Sequence, residues 1–337
     1  FKVKLPSASS VITATNSTYK NWVNNVGHAL VEDVRLLIGG TEIDKHYSEW
    51  FDIWNELTDP QQHEWDLVGK KVDPRELEEN QNNSTQYLIN LKFWFNKNIG
   101  LALPLIALQN HTIELKINLR ELKKLILTDG TNVSVAGNIT SFNIFVDYIF
   151  LDDDERRKIA QAENHEYLIE QLQFNNFNNL SNESNNITLE FKHPVKELVW
   201  VFRHKDRIKN GVDNNSTSLN LSVSDLNGND WFNYCATTIN TNLGLNTYDP
   251  FTECNIELNG HDRFRLSDAL YFRKLQPYNH HSNMPQKHIY TYSFCLNPEQ
   301  HQPTGTCNFS VLDSKKLNLK NPDLSNYELN IYAINYN

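Results

Sequence analysis

Apolar and polar residues alternate along much of this chain, which is the pattern of strands that bury one face. Ile113, Leu115, Ile117 and Leu119 are interleaved with Glu114, Lys116 and Asn118. Phe142, Ile144, Val146, Tyr148 and Phe150 repeat the pattern on a later predicted strand. The second half does the same with Ile187, Leu189 and Phe191, with Leu219, Leu221 and Val223, and with Tyr290, Tyr292 and Phe294. Turn pairs such as Asp129-Gly130, Asn227-Gly228 and Asn259-Gly260 punctuate these runs. The pattern predicts a mainly β chain with long polar connections. One segment breaks the period: Tyr47, Trp50, Phe51, Trp54 and Leu57 fall at i, i+3, i+4, i+7 and i+10, so a helix gathers three large rings on one face before Asp59-Pro60 stops it. Such a helix is expected to plug the open end of a sandwich, with Asp44 capping it and Lys45 lying over the apolar rim.

The two halves resemble each other. Leu37-Ile38-Gly39-Gly40-Thr41-Glu42 and the helix after it have a counterpart in Glu257-Leu258-Asn259-Gly260-His261-Asp262, followed by a helix expected over 267–275. Alone, a glycine turn between strands is weak evidence. Similar strand patterns on both sides of the charged run 152–158 turn it into an expectation of a duplicated domain. Three aspartates followed by Arg156, Arg157 and Lys158 suit the dipole of a short interdomain helix. The boundaries expected are 1–152 for the first domain, 153–172 for the helix and linker, and 173–337 for the second.

Composition narrows the function classes. The 337 residues are enough for two domains with a core each. Formal charge is −10, from 31 basic and 41 acidic residues, with no basic tract, which argues against a direct grip on nucleic acid. The apolar run 99–108 contains Pro104 and is about half the length of a membrane-spanning helix, so no transmembrane insertion is expected. The chain opens on strand-like F-K-V-K-L and closes on an alternating run, 327–337; both ends are expected to continue in a longer protein. Cys235, Cys254, Cys295 and Cys307 lie 19, 41 and 12 positions apart, with no C-x-x-C pair, and are expected to be unpaired thiols without a metal. Asparagine is about one residue in seven, so the N-x-S/T triplets at Asn16, Asn83, Asn132, Asn186 and Asn215 are expected by chance.

Candidate chemistry is sparse. His280, His281 and His288, with Glu253 and Asp262, lack the spacing of a metal site and are read as solvent-facing loop residues. Glu299 and His301 flank a proline-rich turn, but carboxylates are common in this chain and form no recognisable glycosidase pair. No nucleophile elbow, phosphate loop or dinucleotide fingerprint is present. No catalytic, cofactor-binding or metal-binding residue is therefore expected, and no cofactor. The special residues read as architectural: Gly39-Gly40 as a turn, Pro194 and Pro303 as strand entrances.

Several segments carry a resemblance. They are P-E-Q-H-Q-P-T-G-T-C-N-F-S-V-L-D at 298–313, I-G-G-T-E-I-D-K-H-Y at 38–47, N-I-G-L-A-L-P-L-I-A-L-Q at 98–109, H-P-V-K-E-L-V-W-V at 193–201 and L-D-D-D-E-R-R-K at 151–158. Taken in chain order they span nearly the whole chain, which resembles the major capsid proteins of nucleocytoplasmic large DNA viruses. Val311 departs from the arginine usual after N-F-S, which bears on any salt bridge of that arginine and not on the strand. The resemblance implies two tandem antiparallel jelly-roll β-sandwiches, the first lacking its opening strands and the second its last. It implies a structural, non-enzymatic virion protein, assembled in host cytoplasm, whose homotrimers form pseudo-hexagonal blocks that tile an icosahedral shell beside minor capsid and penton proteins.

Two other readings compete. Seven tryptophans on a sandwich suit a carbohydrate-binding or carbohydrate-active protein if Trp50, Trp54, Trp94 and Trp200 are exposed, and argue for a shell protein if they are buried. A transient scaffold of the same fold is the second alternative.

Overall fold

The computed structural model describes residues 1–17, 20–71, 82–128, 131–162, 165–181, 184–205, 229–240, 244–320 and 324–337. The expected strand at 219–223, the turns at 129–130 and 227–228, and Asn215 lie outside the described residues.

In the second half two antiparallel sheets face each other. The inner sheet runs Glu170–Phe177, Tyr327–Tyr336, Pro194–His204, Tyr290–Ser293; the outer runs Ser184–Thr188, Lys315–Lys320, Glu253–Leu258, His261–Asp262. Their facing residues, among them Leu198, Trp200, Phe202, Ile256, Leu317, Leu329 and Ile331, form one core. The other face of the inner sheet is also buried: Val199, Val201, Tyr332 and Ile334 point the opposite way, into the core of the first half. An antiparallel sheet usually leaves one face to water. This one covers both, which explains why Pro194–His204 and Tyr327–Tyr336 are buried at almost every position.

The first half repeats the plan. Ser141–Asn143, Lys2–Leu5 and Thr85–Leu88 pair in the order of Tyr327–Tyr336, Pro194–His204 and Tyr290–Ser293; Thr41–Tyr47, Val31–Ile38 and Ile113–Leu119 pair in the order of His261–Asp262, Glu253–Leu258 and Lys315–Lys320. The hairpins match in register, Leu37 opposite Glu42 and Ile38 opposite Thr41 against Glu257 opposite Asp262 and Leu258 opposite His261. They also match in backbone. Gly39 and Gly40 have φ of 59° and 80°, Asn259 and Gly260 50° and 80°, the consecutive left-handed pair that a tight two-residue hairpin needs and that glycine and asparagine tolerate.

Several sequence expectations change. The strand expected over 142–150 pairs only at Ser141–Asn143, and large apolar side chains from Ile144 to Phe150 are exposed on both faces. In the second half Glu170–Phe177 hydrogen-bonds along most of Tyr327–Tyr336; among the described residues 144–150 have no such neighbour, so periodicity there finds no ladder. The helix expected at 267–275 starts later, because Ser267–Asp268 pairs with Glu253 and Cys254. Asp268 then accepts a hydrogen bond from the Tyr271 amide at 2.9 Å, and a π-helical turn, Tyr271–Leu275, runs into the helix Gln276–His280. Pro303 does not open a strand; the next one is Cys307–Asn308. Asp152 caps the helix Asp153–Gln161 by accepting from the Glu155 amide at 2.9 Å. Among the described residues the four cysteines form no disulfide.

Candidate functional site

The most elaborate chemistry in the molecule lies where the halves meet, around the helix Ser48–Thr58. Its Trp50, Phe51 and Trp54 rings are buried, as its periodicity predicts. Its polar face is buried too: Glu49, Asp52, Asn55 and Glu56 are covered, so the helix does not plug an open end but is packed on all sides. Asp44 does not cap it; the Asp44 carboxylate accepts instead from the Leu172 amide of the second half at 3.0 Å.

A buried charge needs a partner of opposite sign, and each acid on this helix finds one. Asp52 accepts from Lys287 Nζ at 2.7 and 2.8 Å, Lys70 Nζ at 3.3 Å, Asn25 Nδ2 at 2.9 Å and the Tyr234 hydroxyl at 3.2 Å. Burial pushes its pKa up, but Lys287 and Lys70 outweigh burial and hold it at about 2. Glu49 pairs with Arg203 and accepts from Asn330 Nδ2 at 2.7 Å and the Tyr332 hydroxyl at 2.9 Å. Glu56 binds Lys70 at 2.5 Å. The C-terminal carbonyls are satisfied by the second half: Asn283 donates its amide to Leu57 O at 3.0 Å and its side chain to Glu56 O at 2.8 Å.

Two further links flank the helix. Glu170 accepts from Lys97 of the first half at 2.7 Å and from buried Lys196 at 2.6 Å. Trp231 donates to Lys124 O at 2.9 Å while the Arg120 guanidinium stacks 3.9 Å from its ring.

Of the three histidines read as solvent-facing, His281 and His288 are not, and His280 is only partly covered. The His281 ring is fully buried between Glu197, at 2.8 Å from Nε2, and Glu299, at 3.1 Å from Nδ1, with Trp54 edge-on at 6.2 Å. Burial pulls its pKa down, but the two carboxylates prevail and raise it to about 9. His288 is buried beside Asp249, at 3.8 Å, and there burial wins: its pKa falls to about 4. His280 meets the Leu296 carbonyl at 3.0 Å. Glu253 and Asp262 are engaged elsewhere, with Lys320 at 3.6 Å and Asn255 at 2.7 Å. Glu299 is taken up by His281 and the Ser282 amide, and His301 lies 4.0 Å from Glu170. Among the described residues no group of three or more His, Cys, Asp and Glu is arranged to hold a metal ion. Trp50, Trp54, Trp94 and Trp200 are buried, so none offers a face to a sugar ring.

Sequence reasoning missed the joint. A signal existed: Lys196 and Glu197 interrupt the apolar run 195–202, where charge is tolerated only if paired.

Two similar sandwiches fastened by a buried polar joint, with their tryptophans inside, define a building block of the double jelly-roll type. A family model for the major capsid protein N-terminus matches residues 1–152, and one for the large eukaryotic DNA virus major capsid protein matches 155–337. The major capsid protein of Pyramimonas orientalis virus is 38% identical over 341 residues, covering 92% of this chain and 74% of that one. That of Phaeocystis pouchetii virus is 30% identical, covering 100% and 83%. In three dimensions the chain superposes on PBCV-1 VP54, as fitted into a reconstruction of the virophage Sputnik, with a TM-score of 0.74 at 30% identity, covering 100% of this chain and 85% of that one. The Faustovirus major capsid protein shares the fold, with a TM-score of 0.69 at 14% identity. The chain belongs to the major capsid protein family of large eukaryotic DNA viruses. Its role is structural, in the virion capsid, and its relatives are shell proteins rather than enzymes.

Proposed function

We propose that three copies of the chain close into a homotrimer of pseudo-hexagonal outline, and that these blocks tile the flat faces of an icosahedral shell. Residues 1–152 and 173–337 supply one jelly roll each, joined by 153–172. The observation that carries this reading is the repeat itself: both halves use the same strand order, hairpin register and left-handed turn. Two similar domains in each of three chains approximate six-fold shape, so a single protein meets its neighbours alike on all sides of a hexagonal lattice. The joint supports it further, because a block can tile only if its two domains hold a fixed angle. Minor capsid and penton proteins complete such a shell where the hexagonal array alone does not close, and assembly takes place in the host cytoplasm.

Native mass spectrometry of the full-length protein at micromolar concentration is expected to show a dominant trimer, with hexagonal particles in negative stain. A dominant monomer or dimer would remove this reading.

A further inference from the structure

Within the first half, the short helix Val26–Leu30 packs on Ser48–Thr58 and puts a histidine into the contact. His28 is fully buried. Its ring stacks on Phe51, with centroids 5.8 Å apart and planes 26° apart, and its carbonyl accepts from the Ser48 hydroxyl at 2.9 Å. Among the described residues neither Nδ1 nor Nε2 has a hydrogen-bond partner. Burial pulls the pKa of the ring down to about 3, so it is neutral near pH 7. A neutral imidazole carries one N–H donor and one bare acceptor nitrogen, and leaving both unmade inside a core costs stability.

Two asparagines on the same pair of helices are half-satisfied in a matching way. Asn25, 2% exposed, stands at the start of Val26–Leu30 with left-handed backbone, and its side chain does not cap that helix. Its Nδ2 donates instead to Asp52 Oδ1 at 2.9 Å. Asn55, also 2% exposed, donates Nδ2 to Glu64 Oε2 at 2.6 Å. An ionised carboxylate only accepts, so each amide is fixed with its NH2 toward the acid and its carbonyl oxygen turned away. Both Oδ1 atoms are buried without a donor among the described residues. His28 lies near both acids: Asp52 and Glu64 are the negative charges that act on its ring, and Lys92 and Lys70 the positive ones.

We propose that internal water molecules bind in this contact, accepting from the His28 N–H and donating to its bare nitrogen, to Asn25 Oδ1 and to Asn55 Oδ1. The chemistry selects water over an ion. The four orphan positions are one donor and three acceptors, and water both gives and takes hydrogens. A cation would suit the amide oxygens but not an N–H, and it finds no free negative charge. Asp52 is held by Lys287 and Lys70, and Glu64 by Lys92 at 2.5 Å and Asn90 at 3.1 Å. An anion has no hydrogen to give to an asparagine carbonyl. A buried water makes about three hydrogen bonds, so about two molecules serve all four positions. They tie Ser48–Thr58 to the first half, while Lys287 ties the same helix to the second. The site belongs to the folded chain and is independent of the trimer reading.

Two measurements on the full-length protein test it. A cryo-electron or crystallographic map that resolves ordered solvent is expected to show density about 2.7–3.2 Å from both His28 nitrogens. Density at a metal–nitrogen distance of about 2.0–2.1 Å, or none, overturns the proposal. His28→Phe separates a hydrated contact from a dry one, because it keeps a ring on Phe51 and removes both nitrogens. With water bound, the change strands the water and both asparagine oxygens, and the folding equilibrium constant is expected to fall roughly ten-fold or more in denaturant titrations. In a dry contact it removes two orphan polar atoms from a core, so a variant as stable as the parent, or more stable, overturns the proposal. Should the variant fail to fold, the map of the parent decides alone.

Discussion

Asp52→Asn is expected to lower the unfolding free energy by about 3–5 kcal/mol, the range for breaking a buried ion pair by removing one charge. The substitution keeps the shape and the contact with Asn25 but leaves Lys287 without its carboxylate. Lys70 retains Glu56, so the loss falls mainly on Lys287, whose ammonium reaches in from a partly exposed stem to the fully buried Asp52 side chain. Denaturant midpoints of parent and variant measure it, and a difference under about 1 kcal/mol would show the cluster to be hydrated. The pH profile gives a second readout. Asp52 is held near 2 against an ordinary 3.8, so its stabilisation is complete above about pH 4 and is lost as pH falls toward 2. His281 is raised to about 9 from 6.5, so its contribution is complete below about pH 6.5 and is lost as pH rises through 9. Buried His288 and His28 are lowered from 6.5 to about 4 and about 3, so both cost stability as pH falls below 6.5, and the parent should be most stable near pH 6.5. Asp52→Asn should blunt the acid limb, and His281→Gln the alkaline one.

The positions that hold the halves together were the least legible in the sequence, for a physical reason. Glu49, Asp52 and Glu56 fall at i, i+3 and i+7, a spacing that on an isolated helix reads as its wet face. Only the arrival of Arg203, Lys287 and the Asn283 amide from the second half makes that face interior. His281 sits in a polar stretch next to His280, and its burial is decided by Glu197, 84 positions away. Local signals cannot report such a partner. What was legible is what local geometry fixes: alternation at Ile113–Leu119, the aromatic face of Ser48–Thr58, the glycine hairpins, and the motif order that placed the chain in its family. The 142–150 segment lies between these cases. Its period promised one buried face, but period alone does not say whether a neighbouring strand stands alongside; beyond Asn143 none does among the described residues, and large apolar side chains are exposed on both faces.

Trp54→Ala is the other change expected to be severe, at about 3–5 kcal/mol, as for other large-to-small replacements in a core. The ring lies 5.5 Å from Trp50, carries the Lys97 ammonium 4.5 Å from its centroid, and meets His281 edge-on. Removing it opens a void bordered by charged side chains as well as by Trp50, so water is drawn toward the His281–Glu197 pair and the Lys97–Glu170 link at once. The damage should therefore reach both halves: a single cooperative transition displaced to lower denaturant is expected, not the early melting of the first half alone. Trp54→Phe, which keeps a ring in place, should lose much less. If Trp54→Ala instead melts like the parent, the ring is not holding the joint, and a sugar-binding surface on this helix would regain its standing against the shell reading of the tryptophans.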